Sequence, residues 1–180
     1  MRTKLLGCIM VVFLSAATLA YAKDVASDWD HNVNFSAYKT YSWMKVNTPN
    51  DIWDKRTTEK VDAVLAAKGW HKVEQGGDVG ITAMGTTAQK QTYYTYYNGF
   101  GPRWGWRSRG WGGFGTATTT ESTYTEGSLV IEMFDGKTND LIWRGTATDT
   151  LSGKPEKNEK KLNKVVEKMF EEFPPVSSST

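Results

Sequence analysis

Near the C-terminus, apolar residues recur at helical intervals. Leu162, Val165, Val166, Met169, Phe170 and Phe173 fall at i, i+3, i+4, i+7, i+8 and i+11, with Lys160, Lys161, Lys164, Lys168 and Glu171 on the other side. This is the pattern of a helix that buries one stripe and solvates the rest. Each large side chain in the stripe contributes about 1.5–3 kcal/mol on burial, before the cost of ordering it. Pro174-Pro175 stops the helix, and residues 176–180 read as a loose tail. A second helix is predicted over Ile52–Lys68, where Thr57, Val61, Val64, Leu65 and Lys68 share a face. Asn50 or Asp51 can accept its first free N–H groups. Gly69 stands where a left-handed cap is wanted, and Trp70 can fold back over the last turn.

The remaining pattern has a period of two. Val25 to Asp30 reads as a strand carrying Val25 and Trp29, followed by a turn over 32–37 with Phe35 tucked inward. In Thr40–Val46, Tyr41, Trp43 and Lys45 alternate against Ser42 and Met44. Further strands are predicted at Trp70–Glu74 and Val79–Thr87, joined by the tight Gln75-Gly76-Gly77-Asp78 connection. Thr116–Thr125 is rich in β-formers. Leu129, Ile131 and Met133 then alternate against Val130, Glu132 and Phe134. Asp135-Gly136-Lys137-Thr138 signals a hairpin, whose return strand, Leu141–Thr150, places Leu141, Trp143 and Gly145 on one face. Meanders of strands with two amphipathic helices predict an α+β domain: an antiparallel-dominated β-sheet of about six or seven strands with both helices packed on one face.

Residues 92–115 follow neither period. Tyr93, Tyr94, Tyr96, Tyr97, Phe100, Trp104, Trp106, Trp111 and Phe114 crowd into this stretch with seven glycines and with Arg103, Arg107 and Arg109. Glycine at that density opposes a regular strand, so the stretch is read as a long loop.

The first 22 residues stand apart. Arg2 and Lys4 precede an uncharged apolar run, Leu5 to Ala20, and Ala20-Tyr21-Ala22 offers small residues at the positions a signal peptidase reads. This layout predicts a secretory leader cleaved near Ala22, a domain over 23–175, and a periplasmic location with scope for peripheral association with the outer membrane. The run is short for a membrane span, and no later segment is longer. Cys8 is the single cysteine of 180 residues. Leu5-Leu6-Gly7-Cys8 looks like a lipid-attachment box but sits at the beginning of the apolar run instead of after it. Beyond the leader there is no thiol for a disulfide, a metal or a nucleophile, so the core holds by burial alone. Without Arg2 and Lys4 the basic and acidic residues balance at 20 each, which argues against a nucleic-acid partner held by bulk charge.

Several segments together resemble one family. Asp28-Trp29-Asp30, Asn34-Phe35-Ser36, Tyr38-Lys39-Thr40-Tyr41-Ser42-Trp43 and Lys68-Gly69-Trp70 are similar, in that order, to the domain of unknown function 4136 family. So are Glu126-Gly127-Ser128-Leu129-Val130-Ile131, Leu141-Ile142-Trp143-Arg144-Gly145 and Phe173-Pro174-Pro175. The resemblance implies an α+β domain in the envelope of a Gram-negative bacterium, among exported and often lipid-anchored proteins. It supplies no catalytic residues.

The residues themselves offer little catalysis. No G-x-S-x-G elbow or H-E-x-x-H pair exists. His31 with Asp28 and Asp30 is the one candidate centre for a metal-dependent or acid–base hydrolase, although Asp-His-Asn is also ordinary turn chemistry. His71 reads as an edge residue. Gly110-Trp111-Gly112-Gly113-Phe114-Gly115 matches G-x-G-x-x-G, but no strand leads into it and no helix follows, so it carries no dinucleotide reading. No catalytic or metal residue and no cofactor is assigned. The leading expectation is a non-enzymatic envelope protein that binds or scaffolds through the aromatic loop. Its contact candidates are Tyr96, Tyr97, Phe100, Arg103, Trp104, Trp106, Arg107 and Trp111, and its partner is an envelope glycan, a membrane surface or an envelope protein. Export is directly testable: N-terminal sequencing of the protein purified from its host is expected to begin at Lys23, and a chain still beginning at Met1 refutes the leader.

Overall fold

Twenty consecutive residues of one strand pair with twenty of the next, and the sheet is built outward from that ladder. The computed structural model describes residues 24–98 and 116–175, and at 96–98 and 116–118 the backbone alone. In chain order the elements are β1 (Asp24–Trp29), a 3-10 turn (Phe35–Ala37), β2 (Thr40–Asn47), α1 (Asp51–Ala67), β3 (His71–Lys72), β4 (Val79–Asn98), β5 (Thr116–Asp135), β6 (Leu141–Thr150) and α2 (Pro155–Met169). The sheet order is β1-β6-β5-β4-β2-β3. From β1 to β4 the pairings are antiparallel. β2 pairs parallel with both β3 and β4, so the sheet is mixed. The cause is α1, which carries the chain from β2 to β3 as a crossover, the usual connection between parallel neighbours.

Both helices cover one face. That face presents Ile81 and Ala83 from β4, Leu129, Ile131 and Met133 from β5, and Trp143 and Ala147 from β6, all buried. Val61 and Leu65 of α1 and Val165, Val166, Met169 and Phe170 of the α2 region close over them. Gly145 is required here, because a Cβ on it would lie 2.5 Å from the Trp143 ring. Phe173, just past α2, packs against four rings: Phe35 at 5.7 Å, Trp70 at 5.2 Å, Trp143 at 5.7 Å and Phe170 at 5.5 Å between centroids. It ties the turn after β1, the end of α1 and the end of α2 to the sheet.

The predicted caps form. The Asn50 side chain accepts from the Ile52 and Trp53 N–H groups. Gly69 takes φ +81°, while its N–H donates to Ala66 O and that of Trp70 donates to Leu65 O, which together make the left-handed helix stop. α1 is then fixed to the sheet by Asp62. One of its carboxylate oxygens accepts from the Tyr41 hydroxyl at 2.8 Å and the Trp43 Nε1 at 2.9 Å, and the other from Lys72 at 2.9 Å.

Two faces differ from expectation, each at a break in register. Between Trp43 and Lys45 β2 carries a bulge. Lys45 comes level with Thr82 and is exposed, and Val46 takes the packed side instead. Between Met133 and Phe134 the β5–β6 ladder shifts, which leaves Leu141 43% exposed and buries Ile142. Thr116–Asp135 is one strand where two were expected.

Two carboxylates lock the end of β4 and β5 nearest their turns. Asp78 accepts from the Lys39 and Thr40 N–H groups at 3.0 and 2.9 Å. Asp135 accepts from the Tyr38 hydroxyl at 2.6 Å and from the Lys137 and Thr138 N–H groups, each at 2.8 Å. The Tyr38 hydroxyl, followed by the Thr138 and Lys137 amides, lowers the Asp135 pKa from 3.8 to about 2. Burial, followed by that same hydrogen bond and the charges of Asp135 and Asp78, raises the Tyr38 phenol from 10.0 to about 12.

Two outcomes follow from this packing. Phe173→Ala is expected to cost about 3–5 kcal/mol, read from denaturant midpoints, and Phe173→Leu under about 1.5 kcal/mol. The Asp135 contribution is present above its unfolded pKa and is lost as pH falls from about 4 toward 2. The Tyr38 contribution is present below pH 10 and is lost as pH rises toward 12. Unfolding measured across these two windows is expected to show that Asp135→Asn flattens the acid limb and Tyr38→Phe the alkaline one.

Candidate functional site

The sheet partners of the β4–β5 ladder stop before the ladder does. β2 leaves β4 at Met84. β6 leaves β5 at Glu126, after which the Leu151 N–H makes a last bond to Thr125 O. β4 and β5 nevertheless stay paired without a register break to Asn98↔Thr116. The nine pairs from Lys90↔Tyr124 to Asn98↔Thr116 therefore form a two-stranded arm about 30 Å long, at about 3.4 Å per residue.

Among the described side chains the arm has no buried face. Tyr93 is 62% and Tyr94 52% exposed, and as chain neighbours in a strand they stand on opposite faces. Tyr93 lies level with Glu121 and Tyr94 with Thr120. Polar contacts run along and across the ribbon: the Thr95 and Thr119 hydroxyls meet at 3.2 Å, Tyr93 donates to the Gln91 side chain at 3.3 Å, and Lys90 lies 3.7 Å from Glu126. Such a surface can stack flat rings and exchange hydrogen bonds, and no protein core lies beneath it.

The first part of the expected loop is thus strand. Thr92–Asn98 continues β4 because Tyr and Thr are strong strand formers and Thr116–Thr125 supplies a partner of matching length. Tyr96 and Tyr97 lie on the β4 backbone opposite Thr118 and Ala117. Phe100, Arg103, Trp104, Trp106, Arg107 and Trp111 lie outside the described residues.

A cleft that the sequence did not announce opens at the root of the arm. It encloses about 110 Å³ between the sheet, the first turns of α1 and the middle of α2, with Trp53, Leu129, Leu151, Leu162 and Val165 in its lining. Its volume suits an apolar group of a few carbons. Lys161 stands at its rim, 3.1 Å from Asp149. Gly85 and Gly127, on facing strands, were the available signal. A Cβ on Gly127 would lie 2.9 Å from Leu151, and one on Gly85 3.2 Å from Thr48.

The candidate hydrolase residues are not drawn into a common centre. Asp28 accepts from the Trp29 N–H at 2.9 Å. Asp30 accepts from both the backbone and the side chain of Asn32. The His31 ring lies edge-on to Trp29 at 5.2 Å. Among the described residues no group of three or more His, Cys, Asp or Glu is placed to hold a metal ion, and no helix is long and apolar enough to cross a membrane. His71 is exposed on the edge strand β3.

Solved structures align with this chain. A PDZ domain protein from Parabacteroides distasonis aligns with a TM-score of 0.56 at 13% identity, over 86% of this chain and 36% of its own. The chain thus spans about a third of that protein. The PelC dodecamer from Paraburkholderia phytofirmans aligns with a TM-score of 0.48 at 12% identity, over 83% and 95% of the two chains. Lipoprotein GNA1162 from Neisseria meningitidis aligns with a TM-score of 0.40 at 11% identity, over 74% and 98%. At such identities the likeness concerns the fold alone. No curated protein matches the sequence. The model of the domain of unknown function DUF4136 matches residues 25–175, from the second residue of β1 to the prolines beyond α2, and the chain belongs to that family.

Proposed function

We propose that this chain is a non-enzymatic binding module of the bacterial cell envelope, which contacts its partner through the rings that the β4–β5 arm carries. The observation behind this reading is the arm itself. Tyr93 and Tyr94 stabilise no core, since they are more than half exposed on a ribbon with no third strand among the described residues. Exposed aromatic area of this kind is characteristic of contact surfaces. In sequence, the ribbon leads directly into Phe100, Arg103, Trp104, Trp106, Arg107 and Trp111. Rings there stack on sugar faces or rest at a lipid interface, and the arginines pair with carboxylates or phosphates. The leader pattern of residues 1–22 supports export, which places envelope glycan, membrane surface and envelope proteins within reach.

The competing hydrolase reading needs Asp28, Asp30 and His31 to act together, and their hydrogen bonds and ring contact are satisfied locally. Replacing 99–115 by a short turn is expected to abolish retention of the protein on purified sacculi or on lipid vesicles. The double change Tyr93→Ala, Tyr94→Ala removes about 0.5–1.5 kcal/mol per ring, so about a tenfold loss of affinity is expected in the same assay. Unchanged retention in both assays overturns the proposal.

A further inference from the structure

Among the described residues both backbone edges of the arm are uncovered, and the one along β5 carries few of the usual protections. Sheet edges in soluble proteins are ordinarily blunted by lysine, proline, bulges or shortness. From Thr116 to Tyr124 β5 reads TATTTESTY, with no proline, no lysine and one acid, and its register with β4 is unbroken. A two-stranded ribbon with no buried face is marginal in water on its own. This one keeps nine pairs beyond its last sheet partner.

The direction of the edge groups can be read from the sheet. The Asp135 N–H donates to Asp140 O, and Thr125 O accepts from the Leu151 N–H. Both bonds point to the β6 side. Backbone direction alternates along an antiparallel strand, so the odd-numbered residues of β5 turn their N–H and C=O groups to that side throughout. Beyond Thr125, where β6 has ended, Thr119, Glu121 and Thr123 therefore aim theirs away from β4, where among the described residues no strand meets them.

We propose that this edge of β5, Thr116 to Tyr124, pairs antiparallel with the same edge of a second copy of the chain. The described free stretch, Thr116 to Tyr124, is centred on Thr120. A two-fold axis there sets Thr120 opposite Thr120, Thr116 opposite Tyr124 and Glu121 opposite Thr119, so all nine residues pair and the lone acid never faces itself directly. Moving the axis to residue 121 brings the two Glu121 carboxylates opposite each other, which is unfavourable. In the Thr120 register, threonines occupy the centre, where Thr–Thr cross-strand pairs are favourable. The two bodies lie at opposite ends of a four-stranded bridge, and the β4 edge with Tyr93 and Tyr94 stays on the outside of each copy. The inference stands independently of which ligand the rings contact.

The test is a cysteine pair and a proline pair in a Cys8→Ser background. Thr120→Cys lies on the axis, where opposed Cβ atoms of a pair without hydrogen bonds come within disulfide reach. Ser122→Cys lies on the same face but two residues from the axis, outside that reach. Mild oxidation is expected to cross-link the first variant at least about tenfold faster than the second. Thr119→Pro and Thr123→Pro each delete an outward N–H and leave the backbone bonds to β4 intact, the first also removing the hydroxyl contact with Thr95. Light scattering at micromolar concentration is expected to show a dimer for the parent chain and a monomer for either proline variant, with circular dichroism unchanged. A monomeric parent, equal cross-linking at 120 and 122, or a dimer indifferent to folded proline variants overturns the proposal. Should a proline variant fail to fold, the cysteine comparison decides alone.

Discussion

The unbroken register between β4 and β5 is the constraint from which the other features follow. Side chains alternate along a strand, so a slip of one strand by one residue would turn its apolar set, Ile81 and Ala83 in β4 or Ile131 and Met133 in β5, toward water. Burial of these sets holds the pairing, and the pairing then extends past the region that burial covers. The locked turns at Asp78 and Asp135 fix one end of the ladder. The arm at the other end inherits its direction and facing from a core it does not touch.

The helix-covered face is a second consequence. Because odd-numbered residues of β4 and β5 all look one way, α1 and α2 find a continuous apolar floor broken only where Gly85 and Gly127 remove side chains. At that break the sheet gives way to the cleft lined by Trp53, Leu151 and Leu162. The opposite face carries a lighter mixture. The Arg144 and Glu132 side chains meet at 3.2 Å, and Met44 lies over Gly80, where a Cβ would come 2.3 Å from its sulfur.

Much of this was legible in the residues. The stripe from Leu162 to Met169, the Asn50 cap, the Gly69 stop and the Asp135–Thr138 turn are local signals that formed as their chemistry requires, whereas the last helix ends at Met169, before Phe173 and the prolines expected to stop it. The failures were non-local. Nothing in the alternation of Tyr41 to Val46 announces the bulge that exchanges Lys45 for Val46. The parallel pairing of β2 with β3 and β4 is decided by how α1 crosses the sheet, not by any spacing. The outer half of β4 was missed for another reason: a strand solvated on both faces has no apolar period, and tyrosines beside glycines look like a loop. Of the candidate contact residues, the sequence singled out Tyr96 and Tyr97 but not the strand on whose backbone they lie.

The two strands at the edge opposite β3 come from far apart in the chain. Among the described residues β1 pairs only with β6, with Asp24 level with Thr148 and Trp29 with Trp143, and more than a hundred residues lie between partners. A polypeptide is made from its N-terminus, so β1 exists long before the strand that will hold it. The β2–α1–β3 unit and the β4–β5 ladder close over much shorter stretches and can form earlier. Trp29 and Val25 reach their packed positions only when Trp143 and Ala147 have arrived. The β1–β6 edge of the sheet can therefore form only once β6 has been made, and Trp29 and Val25 gain their cross-strand neighbours last.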